Sequence, residues 1–176
     1  YINKFQSKIP IVIFREHKEA KHPFNTVNIL KLNLSPINII DLNPDNAETL
    51  NNVINETLKE YHNPLLIFPG DNSLNKKALV NSLDSFDALV FIDGTWKKSK
   101  KIFFQSSLLQ KLNSYKIDIE NKSTYEIRKS SLEYSLSTIE AVSEVLKLFE
   151  TSFNDQEFLN PFFKMIEIQK NLIPKK

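Results

Sequence analysis

Residues 87–96 read Asp-Ala-Leu-Val-Phe-Ile-Asp-Gly-Thr-Trp. An apolar run ends there on a carboxylate, a glycine, a hydroxyl and an indole in consecutive positions. A carboxylate at a strand end can accept a proton from a bound group. The backbone N–H groups of Gly94 and Thr95 would lie where the next helix begins, a position that favours anions. Trp96 offers a stacking face. Open α/β sheets place their ligands at such strand ends. The structural alternatives are equally concrete. Asp93 precedes a helix, and aspartate is a good N-cap. Trp96 shares a helical face with Ser99 and Phe103 and would then be core. The only two glycines, Gly70 and Gly94, each close an apolar run. Glycine serves where φ is positive or where something approaches the main chain closely, though ordinary turns use it too.

Other groups could do chemistry. His17, Glu19 and His22 lie together in the polar stretch Arg15–Pro23. Their spacing is not that of a zinc-peptidase helix, and three ligands so close in one loop make a poor metal site; substrate contact or a solvated loop fits better. Tyr125 and Arg128 lie in a polar stretch, residues 121–134, where an arginine is exposed by default or grips a carboxylate or phosphate with two parallel hydrogen bonds. Ser137-x-x-Glu140 has the form of a capping box before an apolar helix. No P-loop, dinucleotide glycine fingerprint or nucleophile elbow is present.

The elements that must position these groups follow from periodicity. Short apolar runs predict strands at Ile9–Phe14, Ile37–Ile40, Leu65–Phe68, Ala88–Ile92 and Tyr115–Ile119. Helices are predicted from a cap at Asn25 through Leu30, over 46–61, over Ser73–Leu83, from about Thr95, over Ile139–Phe149 and over about 156–172. Strands alternating with helices predict an α/β fold with a mainly parallel sheet flanked by helices. At 176 residues, with 41% hydrophobic and 25% charged residues, the chain is expected to be one soluble domain over 1–176. No apolar run reaches membrane-spanning length, so no membrane partner and a cytoplasmic location are expected. With no cysteine there is no disulfide, thiolate nucleophile or cysteine metal site within these residues. The net charge of +2 is uneven: residues 94–129 carry nine Lys/Arg and three acids, +6, leaving −4 for the rest. Lys97, Lys98 and Lys101 share one helix face beside the candidate turn. That is either a solvated face or a polyanion footprint, and its place beside the turn favours nucleic acid.

Several segments, in order over about residues 9–150, resemble the core motifs of the DTW-domain family. Asp93-Gly94-Thr95-Trp96 resembles its signature, Ser123–Lys129 its Ser/Tyr/Arg segment, and Leu136-Ser137-Thr138-Ile139-Glu140-Ala141 its Ser-Thr-hydrophobic-Glu-Ala motif. His17-Lys18-Glu19 with Asn25-Thr26 resembles its His and Glu followed by an Asn-Thr pair, and Phe68-Pro69 its Phe-Pro strand ending. The resemblance implies a tRNA-uridine aminocarboxypropyltransferase. Such enzymes move the 3-amino-3-carboxypropyl group of S-adenosylmethionine (SAM) to N3 of a tRNA uridine. It implies a SPOUT-like fold with a C-terminal trefoil knot, and since SPOUT relatives often dimerise, a homodimer is one expectation.

On the same basis Asp93 is expected to be catalytic, as base or as positioning group. SAM is expected at Pro69, Gly94, Thr95, Trp96, Leu136, Ser137, Thr138 and Glu140. The tRNA is expected at His17, Glu19, Asn25, Thr26, Lys97, Lys98, Lys101, Tyr125 and Arg128. Two departures stand out. Val27 and Asn28 follow the Asn-Thr pair where the family commonly has Gly and Arg. The family also commonly carries a cysteine cluster ahead of the first strand; Tyr1 falls about where it would end, so a missing upstream segment is expected and no metal in this chain. A methyltransferase of the SPOUT type and a non-catalytic RNA-binding module are the rival readings.

Overall fold

The computed structural model describes residues 4–118 and 136–172. Among them, six parallel strands form one sheet in the order β2-β1-β5-β3-β6-β4. The strands are β1 (Phe5–Glu16), β2 (Leu34–Leu42), β3 (Pro64–Ile67), β4 (Ser73–Leu74), β5 (Ala88–Asp93) and β6 (Ser114–Tyr115). The helices are α1 (Thr26–Asn33), α2 (Ala47–Leu58), α3 (Lys76–Val80), α4 (Trp96–Gln105), α5 (Ser107–Lys111), α6 (Thr138–Phe149) and α7 (Asp155–Leu172). The mainly parallel α/β architecture expected from the sequence is present.

The central strands are apolar on both sides because both faces are covered. Ile11, Val12, Ile13 and Phe14 of β1 are fully buried. Ile11, Ile13, Leu65, Leu89 and Phe91 face α1, α6 and α7. Val12, Phe14, Leu66 and Val90 face α2, α4 and α5. Pro10 interrupts β1, yet the strand survives. The ladder to β2 shifts register between Gln6 and Ile11, and the ladder to β5 begins only at Ile11, so the missing N–H falls where no bond is required.

Side-chain caps set several helix starts. Asn25 Oδ1 accepts from Val27 N at 2.9 Å, Asn46 Oδ1 from Thr49 N at 3.0 Å, and Asn75 Oδ1 from Ala78 N at 2.9 Å. Two expectations need correction. The helix expected over Ser73–Leu83 begins only at Lys76, because Ser73 and Leu74 pair with Ser114 and Tyr115 as an edge strand. The strand expected from Tyr115 onward instead ends at Tyr115. The Phe-rich last helix contributes to the core: Phe158 and Phe162 are buried among α1 and α6 residues, and Asn33 Nδ2 donates to the Phe158 carbonyl at 3.0 Å.

Strand order locates the cleft. β1 and β5 are neighbours, yet the helix after β1 packs on one face of the sheet and the helix after β5 on the other. Adjacent strands whose connections leave in opposite directions open a crevice at their carboxyl ends. Arg15, Glu16 and Asp93 stand there. Most of the loop before α6, which the resemblance makes the knotted SAM loop, lies outside the described residues.

Candidate active site

Asp93 is the last residue of β5 and only 7% exposed. It does not cap α4; that position belongs to Thr95, whose side chain makes no cap hydrogen bond. The carboxylate instead turns to the α1 and α6 side of the sheet. Asn25 Nδ2 donates to Asp93 Oδ2 at 2.9 Å, and the Thr138 hydroxyl donates to Oδ1. Asn25 is the N-cap of α1 and Thr138 the first residue of α6. The carboxylate thus sits at two helix N-termini, whose partial positive charge favours an anion. Among the described residues it forms no ion pair and each of its oxygens has one donor. Acceptor capacity therefore remains on both oxygens for a ligand donor or a proton.

Three separated segments, around Asn25, Asp93 and Thr138, thus meet at one carboxylate. Thr26, beside Asn25, is buried. Ser137 and Glu140 form the expected capping box, with Ser137 N donating to Glu140 Oε2 at 2.8 Å. Glu140 therefore has a complete structural role at the start of α6, and Leu136 leads into it half-buried.

On the other side of the turn, Glu16 is 1% exposed. Its Oε2 lies 2.7 Å from Lys98 Nζ, which also reaches Glu19 Oε1 at 3.0 Å. Burial works to raise the Glu16 pKa, but the Lys98 hydrogen bond, a backbone bond from Lys18 and the Lys98 charge outweigh it, so Glu16 titrates below its ordinary value. The same bonds to Glu16 and Glu19 hold the Lys98 ammonium above its ordinary range. His17 Nδ1 lies 3.1 Å from Glu16 Oε1, but not in hydrogen-bonding geometry. His17, Glu19 and Lys98, singled out separately in the sequence, therefore form one cluster around a glutamate the sequence reading passed over. Lys101 is likewise engaged, with Asp45 Oδ1 at 2.7 Å. Lys97 is exposed.

Trp96 is not core. It is 55% exposed, stacks on Phe68 with ring centroids 5.3 Å apart, and has the Lys100 ammonium 5.0 Å over its ring. Pro69, next to Phe68, is exposed at the end of β3. The two glycines differ. A Cβ on Gly70 would meet Ser114 Oγ at 2.9 Å, a true close approach. A Cβ on Gly94 would meet nothing nearer than Ser99 Oγ at 3.4 Å, and neither glycine has positive φ. Gly94 is thus not required by the fold in the way Gly70 is.

Arg15 was also passed over. In register it stands between Asp41 and Asp93. Its guanidinium is turned away from Asp93, donating to Asp41 through Nε at 2.7 Å and Nη2 at 3.2 Å, and to Asn28 Oδ1 through Nη1 at 3.1 Å. Register could have found it, but only once the strand order was known. Tyr125 and Arg128 lie outside the described residues. Among the described residues no group of three His, Asp or Glu could hold a metal ion, and no helix is long and apolar enough to cross a membrane.

A parallel sheet whose neighbouring strands β1 and β5 send their connections to opposite faces, with a buried carboxylate ending β5 and an exposed indole three residues on, defines an α/β protein whose strand ends are the candidate ligand site. The DTW-domain family model matches residues 1–170, and the chain belongs to that family. A tRNA-uridine aminocarboxypropyltransferase 2 from Drosophila melanogaster is 28% identical over 142 residues, covering 80% of this chain and 56% of that protein. Proteins of the same name from Macaca fascicularis and Mus musculus are each 28% identical over 96 residues, covering 54% of this chain and 32% of theirs. The chain thus spans about half the length of the first relative and a third of the others. No solved structure matches.

Proposed function

We propose that this protein transfers the 3-amino-3-carboxypropyl group of SAM to N3 of a uridine in tRNA. The observation that carries the reading is the convergence of Asn25, Asp93 and Thr138, three pieces of the family's motifs, on one buried carboxylate. The relatives' names supply the substrate class. The donor set suits the methionine end of SAM: Asp93 keeps a free acceptor site on each oxygen for an ammonium or a proton, in a cleft flanked by helix N-termini. Gly94 and Thr95, which follow Asp93 in the chain, and the Leu136–Glu140 segment, whose Thr138 donates to it, are assigned to SAM in this reading, and Glu140 contributes by fixing the start of α6.

SAM supplies a carbon activated by its sulfonium: uridine N3 bonds to Cγ, the Cγ–S bond breaks and methylthioadenosine leaves. The residues of the chain do the rest. Asp93 accepts the N3 proton or holds the reacting groups in line. Asn25 and Thr138 fix its orientation. N3 is hidden in a base pair, so the uridine must be presented unpaired. Arg128 and Tyr125, from the family's Ser/Tyr/Arg segment, belong to substrate binding in this scheme. The SPOUT-like classification, with its C-terminal trefoil knot, is part of the same proposal.

Unmodified tRNA transcripts with SAM labelled in the carboxyl carbon or, separately, in the methyl group test the reading. It expects only the carboxyl label in RNA. Methyl label alone would make the protein a methyltransferase, and RNA binding without SAM binding would make it a binding module.

A further inference from the structure

Helix α4 carries Trp-Lys-Lys-Ser-Lys-Lys-Ile-Phe-Phe-Gln, with four lysines and no acid. The structure divides those lysines into two kinds. Lys98 and Lys101 are spent internally, on Glu16 with Glu19 and on Asp45. Lys97 and Lys100 are exposed and form no ion pair among the described residues. Lys100 stands between two exposed aromatic rings, Trp96 one turn before it and Phe104 one turn after, at i, i+4 and i+8. Phe104 is 66% exposed, and its ring meets Phe103 edge-on at 5.3 Å. Phe103 in turn lies 4.8 Å from Phe68, and Phe68 stacks on Trp96. Two outward-facing rings are therefore braced from beneath by the same buried pair. They are roughly 12 Å apart along the helix at 1.5 Å per residue, too far to serve a single base.

We propose that the Trp96–Lys100–Phe104 stripe, with Lys97 beside it, is a track for the unpaired RNA strand leading away from the modified nucleotide. Bases stack on the two rings, and the two lysines take phosphates between them. Stacking on aromatic faces needs unpaired bases, and a groove that combines such rings with cations is how single strands are held. Charge complementarity selects the occupant. A protein-binding patch has a core depleted in lysine, whereas here a lysine separates the rings. A base arriving at Trp96 takes the place of the Lys100 ammonium, which then turns to the backbone. The stripe begins three residues after Asp93, on the helix that leaves β5 over the opposite face of the sheet, so it adjoins the strand ends at which the uridine would be presented. The proposal rests on the RNA-modifying reading above and extends it to residues outside the reacting centre.

Trp96 is the only tryptophan, so its fluorescence reports on this surface alone. The intact protein is titrated with a single-stranded oligouridylate and with the unmodified tRNA transcript, without SAM. Quenching that weakens with added salt is expected for both. Phe104→Ala should weaken tRNA binding about tenfold. Lys100→Ala should weaken it less and lower the salt dependence by about one phosphate contact. In turnover both variants should raise KM for tRNA and leave kcat and KM for SAM unchanged. Ile168→Ala, an exposed apolar residue on α7, should bind as the unaltered protein does. Unchanged RNA affinity in both Phe104→Ala and Lys100→Ala would overturn the proposal. So would a dimer that Phe104→Ala dissociates without loss of RNA affinity. Binding is read without transfer, so a protein that binds RNA through the stripe yet transfers nothing would refute the proposed reaction and leave the track standing.

Discussion

Exchanging Asn25 and Asp93 separates what holds the cleft together from what the cleft does. Asn25 does two jobs with one amide: its oxygen caps α1 through Val27 N, and its nitrogen donates to Asp93, each at 2.9 Å. Both residues are buried. Asn25→Ala loses a cap, about 1 kcal/mol, and a hydrogen bond to a charged group, about 1.5–3 kcal/mol, so a loss of about 2.5–4 kcal/mol is expected. Asn25→Asp keeps the cap, since aspartate caps as well as asparagine, but sets two carboxylates against each other. At an effective dielectric of 20 the repulsion is about 4 kcal/mol near 4 Å, in addition to the lost hydrogen bond. Like charges favour proton uptake by the pair, so this penalty should be small near pH 4 and grow as pH rises toward 7. In Asn25→Asp with Asp93→Asn, the new asparagine donates back to the new aspartate and the cap is retained. Stability should return to within about 1 kcal/mol of the original, while transfer stays lost because position 93 no longer carries a carboxylate. Urea denaturation followed by circular dichroism at several pH values reads the first part, and label transfer reads the second. A double variant no more stable than Asn25→Asp alone would refute the reasoning, as would Asn25→Asp proving no worse than Asn25→Ala at neutral pH.

The Glu16–Lys98 pair predicts an acid limb. A carboxyl held below its ordinary value adds stability above the unfolded pKa of about 4.5 and loses it as pH falls through the lower folded value. Glu16→Gln should flatten the stability profile below that region, as read by thermal melts across pH. Lys98→Met leaves a buried glutamate without its cation. Because Lys98 is itself a third exposed, the loss should be about 2 kcal/mol rather than the larger cost of a fully buried pair, measured by the same urea series. Gly70→Ala should cost about 1–3 kcal/mol through its 2.9 Å approach to Ser114, whereas Gly94→Ala should melt within a few degrees of the unaltered protein. If Gly94→Ala also keeps full transfer, its place in the cleft carries no ligand.

Much of this arrangement was legible in the chain. The runs Ile11–Phe14, Leu65–Ile67 and Ala88–Ile92 are apolar on both faces, as only central parallel strands are, and Ser137-x-x-Glu140 announced the start of α6. The cap at Asn25 was legible too. What local pattern could not give were contacts made across the fold. Asn25 and Asp93 are 68 positions apart and Lys98 and Glu16 are 82 apart, and only the strand order brings them together. Trp96 misled for a similar reason. It has the helical spacing of a core residue, but it lies in the first turn of α4, at the rim of the sheet, where Phe68 stacks on it and the Lys100 ammonium lies over its ring. The two-residue strands β4 and β6 are too short to show any period. The family resemblance selected Asp93 as functional; periodicity alone favoured a helix cap that the structure assigns to Thr95.

The most direct measurement compares the unaltered protein with Asp93→Asn. SAM binding is read by calorimetry, and transfer of carboxyl label to unmodified tRNA by scintillation. Asparagine keeps the size of the side chain and its acceptor for Thr138, but it removes the charge and sets an amide nitrogen against Asn25 Nδ2, at a cost in stability of about 1.5–3 kcal/mol. The expected result is a folded variant that still binds SAM and transfers at least a hundredfold more slowly. Transfer by Asp93→Asn at a rate close to that of the unaltered protein would contradict the assignment of this carboxylate as the reacting centre.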